Sequence, residues 1–308
     1  MAFSTDRRTF LKRTGEFGGL IAAGGVLETI LAACGGNIPT SAPAATPGAV
    51  KVGNKGLKLP GFFQWGATSD NGAPYVYKDP KSGELIGFEL EIATAIAGLM
   101  SVTQKQIETD YAQLNQALQA NNFDAIMNGW EITPDRQKTE VFSQPYYRNG
   151  QQIVVRANDA RFAQKTTNDT FSLQDLEGLT VGTGAGFKAE DLLASDKKIK
   201  LKSYDPDLPF NDLALGRIDA VLIDFSTVTY YVLGDGPGGA ANKSLKLIGK
   251  LFEFSDYVVA FSKKNSNATT LQKEIDQALT VLKEDGTLQK IYKKWGLWND
   301  VQAQIGIK

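Results

Sequence analysis

Apolar positions change period several times along the chain, and each change marks an element. Phe62–Ala67 is a short apolar run, the pattern of a strand. Between Glu89 and Met100 the apolar residues fall at 92, 93, 96, 97 and 100, one face of a helix. Leu114–Asn121 predicts a short helix and Phe123–Met127 a buried strand. A further strand surrounds Val181, with a helix from about Phe187. Near the end, Leu271, Ile275, Leu279 and Leu282 form a helical stripe that Gly286 caps. Alternating strands and helices predict an α/β fold with mostly parallel pairing.

One pattern occurs twice. Leu118-Gln-Ala-Asn-Asn-Phe-Asp124-Ala125-Ile126-Met127 matches Leu213-Ala-Leu-Gly-Arg-Ile-Asp219-Ala220-Val221-Leu222, 95 residues later. Each copy is a helix end, a turn, then Asp-Ala opening a buried strand. That interval is too long for a solenoid unit and suggests two similar α/β lobes; chance likeness of two helix–strand turns is the plainer alternative.

The first 33 residues have another character. Asp6-Arg7-Arg8-Thr9-Phe10-Leu11-Lys12 looks like a twin-arginine export signal. The small, apolar stretch Gly18–Ala33 is shorter than the roughly 20 residues a bilayer span needs, and Glu28 interrupts it. It ends in Leu31-Ala32-Ala33-Cys34, which resembles a bacterial lipoprotein box, where the cysteine is lipidated and becomes residue one; a buried cysteine in an apolar helix is the alternative. Residues 34–59 are rich in Gly, Pro, Ala and Thr and read as a tether that builds no core. About 25 such residues span roughly 25–30 Å.

Composition narrows the chemistry. The chain has 308 residues, no histidine and one cysteine. Histidine-based nucleophile arrangements, His-ligated metals, intrachain disulfides and CxxC pairs are excluded. Lys+Arg is 33 against Asp+Glu 34, so nucleic acid is not an expected partner. Removing residues 1–33 leaves 275 residues with net charge −2, enough for two cores. Ligand binding becomes the leading class, with no metal or cofactor expected.

Three stretches carry candidate chemistry. In Ile132-Thr133-Pro134-Asp135-Arg136, Thr and Pro suit a helix start, which puts Arg136 in the first turn against the helix dipole. An anionic partner would justify it, either a ligand carboxylate or Glu140 one turn on. Val181-Gly182-Thr183-Gly184-Ala185-Gly186-Phe187-Lys188 is a Gly-rich strand-to-helix turn, either an anion cradle or simply a tight turn. Asp224 ends the buried run Ala220–Ile223, where open α/β sheets bind ligands; the alternative is a helix N-cap.

In Gly83-Glu-Leu-Ile-Gly-Phe-Glu-Leu-Glu-Ile-Ala, Asn122-Phe-Asp-Ala-Ile-Met, Ile132-Thr-Pro-Asp-Arg136, Phe142-Ser-Gln-Pro-Tyr-Tyr147, Gly216-Arg-Ile-Asp-Ala and Asp285-Gly-Thr-Leu-Gln-Lys-Ile-Tyr-Lys-Lys-Trp295, the body resembles family 3 solute-binding proteins of amino-acid ABC transporters. The resemblance implies a periplasmic-binding-protein-like type II fold, two α/β lobes joined by two hinge strands with the ligand between. Lobe 1 would be 60–150 plus 258–308, and lobe 2 151–257. It implies that Arg136 binds the ligand's α-carboxylate and Asp224 its α-ammonium. Asn128, Gly129 and Glu131 would contribute from the first Asp-Ala loop, Tyr111 would form a wall, and Gly184, Gly186 and Lys188 would come from the Gly-rich turn. In Ser69-Asp70-Asn71-Gly72-Ala73-Pro74-Tyr75 the family's usual aromatic is Gly72, so that wall would be either missing or supplied by Trp130 or Trp65. Glu131 and Lys188 stand where Ser or Thr is usual, and a buried Glu and Lys would need each other or a charged ligand.

The expected protein is therefore a lipid-anchored extracytoplasmic lipoprotein, monomeric, that binds a polar or charged amino acid and delivers it to a membrane permease. It is not expected to be an enzyme. The alternatives are an exported dehydratase-like enzyme with Glu131 as general acid, or a ligand sensor for a membrane receptor.

Overall fold

The structure is a computed structural model that describes residues 51–70, 72–205 and 208–308. The expected export signal, Cys34 and the tether as far as Val50 lie outside the described residues, as does Asn71. Among the described residues no helix is long and apolar enough to cross a membrane.

The chain begins with β1 (Phe62–Ala67), β2 (Tyr77–Lys78), β3 (Leu85–Ile86), α1 (Phe88–Leu99), β4 (Thr103–Glu108), α2 (Leu114–Gln119) and β5 (Ala125–Ile126). Next come α3 (Arg136–Thr139), β6 (Glu140–Phe142), β7 (Tyr147–Arg156), β8 (Thr180–Gly184), α4 (Lys188–Ser195) and β9 (Lys200–Tyr204). Then follow α5 (Phe210–Ala214), β10 (Ala220–Asp224), α6 (Phe225–Val228), β11 (Leu245–Tyr257), β12 (Ala260–Ser262), α7 (Ala268–Glu284) and α8 (Thr287–Lys294).

Two five-stranded sheets organise these elements, in the orders β4-β1-β5-β12-β6 and β11-β7-β10-β8-β9. In the first, β1 runs parallel to β4 and β5; in the second, β8 runs parallel to β9 and β10. The expectation of mostly parallel pairing needs correction, because β12 and β7 join their sheets antiparallel. The reason is the chain path. It leaves the first sheet after β6 and returns before β12, and in each sheet one crossing strand, β12 in the first and β7 in the second, runs against the parallel set, with β6 and β11 pairing on its far side. The two crossings touch: Tyr146 N donates to Tyr257 O at 2.9 Å and Ser143 N to Val259 O at 2.9 Å. The division expected at 150/151 falls inside β7.

The repeated pattern has a common cause. At the start of β5, Asp124 N donates to Gln64 O at 2.9 Å and its carboxylate accepts Gln64 N at 2.8 Å. At the start of β10, Asp219 N donates to Thr180 O at 2.8 Å and its carboxylate accepts Thr180 N at 2.9 Å. The same ring locks each Asp-Ala strand onto the neighbouring parallel strand. β1-α1-β4-α2-β5 and β8-α4-β9-α5-β10 are therefore two copies of one plan, not a chance likeness.

Packing follows the alternation of side chains. In β10, Ala220 and Leu222 face one buried cluster, Val221 and Ile223 another, so a strand covered on both faces reads as an unbroken apolar run. In the first lobe α1 buries Phe88, Ile92, Ala93 and Ile96 with Leu271, Ile275 and Leu279 of α7. Trp65, an expected cleft wall, lies in this core with no exposure. The end of the expected tether also packs. Val52 and Leu57 are buried, and Glu274 accepts the N–H groups of Lys55 and Gly56 at 2.8 and 3.0 Å.

Candidate functional site

Six parallel strands point their C-terminal ends at one cavity of about 330 Å³. The loop after β1 contributes Thr68, Asp70, Gly72 and Tyr75, that after β4 Asp110, Tyr111 and Gln113, and that after β5 Asn128, Gly129 and Glu131. From the second lobe come Gly184, Ala185 and Phe187 after β8, Tyr204, Asp205 and Leu208 around the end of β9, and Asp224 and Thr227 at the end of β10. Such a crevice at strand ends is where α/β sheets hold ligands, and its volume suits a small molecule.

Asp224 occupies the N-cap position of α6 but makes no capping bond. Its Oδ1 accepts Gln151 Nε2 and its Oδ2 accepts Tyr257 OH, each at 2.6 Å. Burial pushes its carboxyl above the ordinary range. Glu131, also buried, accepts Ser255 Oγ across the lobes, and burial followed by the neighbouring charge of Asp224 pushes its carboxyl up as well. Two buried carboxyls line one cavity, each accepting only from uncharged donors.

Arg136 opens α3, with Thr133 Oγ1 accepting its N–H at 3.2 Å. Its guanidinium lies 3.4 Å from the Trp130 ring centroid and donates to Glu131 O at 2.9 Å and Tyr111 OH at 3.4 Å. Trp130 is buried, and its Nε1 donates to Glu140 at 2.8 Å. Glu140 thus serves Trp130, not an ion pair with Arg136. Trp130 does not line the cavity; it is the platform under Arg136, and Tyr111 leans on its edge with centroids 5.4 Å apart.

Other expected residues take different positions. Asn128 lines the cavity and accepts Thr68 N at 2.9 Å. Gly129 also lines it, at φ +59°, but its N–H is taken by Glu89 at 2.7 Å. Ser69 points away: its N and Oγ donate to Glu108 at 2.8 and 2.6 Å. The Gly-rich turn is no open anion cradle, because its N–H groups are used internally. Ala185 N donates to Tyr204 O, Phe187 N to Gly184 O, and Gly186 N to the Glu190 carboxylate at 2.6 Å. Gly184 lines the cavity, whereas Gly186 lies outside its lining, against Tyr111. Lys188 Nζ donates to the carbonyls of Glu253 and Phe254 at 3.3 Å, and the expected pair with Glu131 is not formed.

Gly72 cannot carry an aromatic here. A Cβ would stand 2.2 Å from Val76 O and 2.5 Å from Thr68 O. Tyr75 supplies the ring instead, and its hydroxyl bonds Ser226 Oγ at 2.6 Å and Tyr257 OH at 3.0 Å. This contact ties the first lobe to the Asp224 corner of the second.

The family model for bacterial extracellular solute-binding proteins, family 3, matches residues 66–297, most of the chain. The chain belongs to this family. Over 234 residues it is 30% identical to the probable amino-acid-binding protein YxeM of Bacillus subtilis, covering 75% of this chain and 82% of that one. Over 216 residues it is 31% identical to the L-cystine-binding protein TcyJ of Escherichia coli K12, covering 69% and 75%. The structure of an ancestral arginine-binding protein bound to glutamine superposes with a TM-score of 0.64 at 32% identity, covering 78% of this chain and all of that one. The type II fold of two α/β lobes is thereby established.

In this family 3 protein, sequence reasoning missed Tyr75, Asp110, Phe187, Tyr204 and Asp205 among the lining residues. Tyr75 had a signal: it follows Pro74 directly in the loop after β1. Asp110 had a weaker one, as the neighbour of Tyr111. Glu89, at the start of α1, was missed as a support. It is fully buried, accepts Gly129 N–H and Tyr146 OH, and burial raises its carboxyl to about 7.

Proposed function

We propose that this chain captures an amino acid outside the cytoplasm between its two lobes and presents it to an ABC permease, anchored through a lipid on Cys34 and acting as a monomer. The observation that carries the reading is the cavity itself. Asp224 lines it from one lobe, and Glu131 and Tyr111, which line it from the other, accept hydrogen bonds from the Arg136 guanidinium, so the two charges that a zwitterion answers stand at one small space. Arg136 has used two of its five N–H groups, and the others serve a ligand carboxylate. Asp224 then takes the α-ammonium. The relatives are named for amino-acid and cystine binding, which supports capture rather than reaction.

Micromolar capture requires about −8 kcal/mol. Charge-assisted bonds at both ends plus burial of the side chain against Tyr111 and Phe187 reach that order. The test is a thermal-shift screen of the ligand-stripped protein against the twenty amino acids. A ligand at 100 times its Kd adds about 2.7 kcal/mol of stability. A shift confined to polar or charged amino acids supports the reading; no shift with any of them refutes it. For the anchor, Cys34→Ala should move the protein from the membrane fraction to the soluble one, and unchanged partition would refute lipidation.

A further inference from the structure

We infer that the cleft selects amino acids with a positively charged side chain, and that Asp110 of the first lobe and Asp205 of the second read that charge. The inference rests on the amino-acid reading above and names the substrate class. It starts from the charges that line the cavity. Among the described residues that line it, five are carboxylates, Asp70, Asp110, Glu131, Asp205 and Asp224, and none is a lysine or arginine.

Among the described residues the nearby cations make no ion pair with these carboxylates. Arg136 lies flat on Trp130 and donates to Glu131 O and Tyr111 OH. Lys188 reaches back to two carbonyls of its own lobe. A zwitterion brings one ammonium, which the buried pair Asp224 and Glu131 absorbs. Asp110 and Asp205 then remain. Both are exposed, neither makes an ion pair among the described residues, and they come from opposite lobes. Each is a solvated charge of little consequence by itself, but together they border one cavity from opposite lobes, where a cation entering it answers both.

The remaining lining suits such a cation. Tyr111 and Phe187 stand with ring centroids 5.2 Å apart, and Tyr204 borders the same space. Aromatic faces hold an alkyl stem and attract an ammonium or guanidinium at its end. An acidic side chain would meet like charge in both lobes, and an amide would leave the carboxylates unanswered. Selectivity thus comes from a charge that each lobe contributes to the same cavity.

The experiment is calorimetric titration of the ligand-stripped protein with arginine, lysine, citrulline, glutamine and glutamate. Citrulline keeps the length of arginine and loses its charge. Arginine or lysine should bind at least about tenfold more tightly than citrulline, the size of one modest charge contact. In Asp110→Asn/Asp205→Asn the arginine-to-citrulline ratio should fall towards one. Asp135→Asn, on a carboxylate 89% exposed and outside the cavity, should leave the ratio alone. Because the readout is a ratio within one variant, a general loss of folding does not imitate it. Citrulline, glutamine or glutamate binding within about threefold of arginine would overturn the charge inference and leave amino-acid capture standing. An unchanged ratio in the double variant would overturn the assignment to Asp110 and Asp205. Binding of none of the five to a protein that still shifts with other amino acids would overturn the charge inference, and no shift with any amino acid would overturn the reading beneath it.

Discussion

Asp224 is held by an amide and a phenol, both uncharged, and burial disfavours its ionised form. With Glu131 beside it, the ligand-free cleft keeps a proton at a pH where ordinary carboxyls have lost theirs. The sign follows. Folded-state values above the unfolded ones mean that the ligand-free protein binds more protons than the unfolded chain, and loses stability as pH rises through that window. An ammonium entering the cleft expels the proton. Affinity should therefore rise with pH above the ordinary carboxylate range, with proton release visible as a buffer-dependent binding enthalpy. Equal enthalpies in buffers of different ionisation heat would contradict it.

Arg136→Ala should weaken binding by about 2–5 kcal/mol, the loss expected when one partner of a desolvated charge pair goes. Glu89 acts one step back. Its carboxyl, raised from its ordinary 4.5 to about 7, binds a proton across that interval in the fold but not in the unfolded chain. Glu89→Gln keeps an acceptor for Gly129 N–H and removes the titration. The variant should gain on the wild type by about 3 kcal/mol between pH 4.5 and pH 8, read by denaturant unfolding. A pH-independent difference would exclude Glu89 as the titrating group.

At the scale of elements, strands with an unbroken apolar run and the two long helices with one apolar stripe declared themselves, whereas β7, buried along most of its length, did not, because Arg148, Asn149, Gln151 and Gln152 break its run. β1 lies where the apolar run placed it, and α1 and α7 lie under their stripes. The edge strands did not. β4 reads Thr-Gln-Lys-Gln-Ile-Glu and β9 Lys-Leu-Lys-Ser-Tyr, each open to solvent along much of its length, so neither has an apolar run to announce it. The cavity-lining residues Asp110 and Asp205 follow these two strands, which is why both were missed. Arg136 and Asp224 were visible because each breaks a local rule, a cation in a first helical turn and a charge ending an apolar run. What they touch depends on the partner lobe and had no local signal. The Asp-Ala repeat was visible as spelling, and its meaning came with the two hydrogen-bond rings. Asp219→Ala should leave Thr180 N–H without its partner and break the bond to Arg161. The expected cost is about 1–3 kcal/mol by chemical denaturation, and a cost near zero would mean the ring is ornamental.

For the whole molecule, closure is the functional event, and the lobes touch through few polar contacts. Tyr75 reaches Ser226 and Tyr257, Tyr257 reaches Asp224, and Ser255 reaches Glu131. The corner where these contacts meet is therefore also the corner that holds the cavity-lining carboxyls Glu131 and Asp224. Tyr75→Phe should keep the ring in place and remove the hydroxyl. Affinity should fall by about 0.5–1.5 kcal/mol, the worth of a hydrogen bond made on closing. Unchanged affinity would separate closure from this network.

The most direct measurement is calorimetric titration of the ligand-stripped protein and of Arg136→Ala, side by side, with the amino acid giving the largest thermal shift. The account predicts one site per chain with micromolar affinity, weakened at least about thirtyfold in the variant, the lower end of a lost charge pair. Equal affinity in the two proteins, or no heat of binding in the wild type, would contradict it.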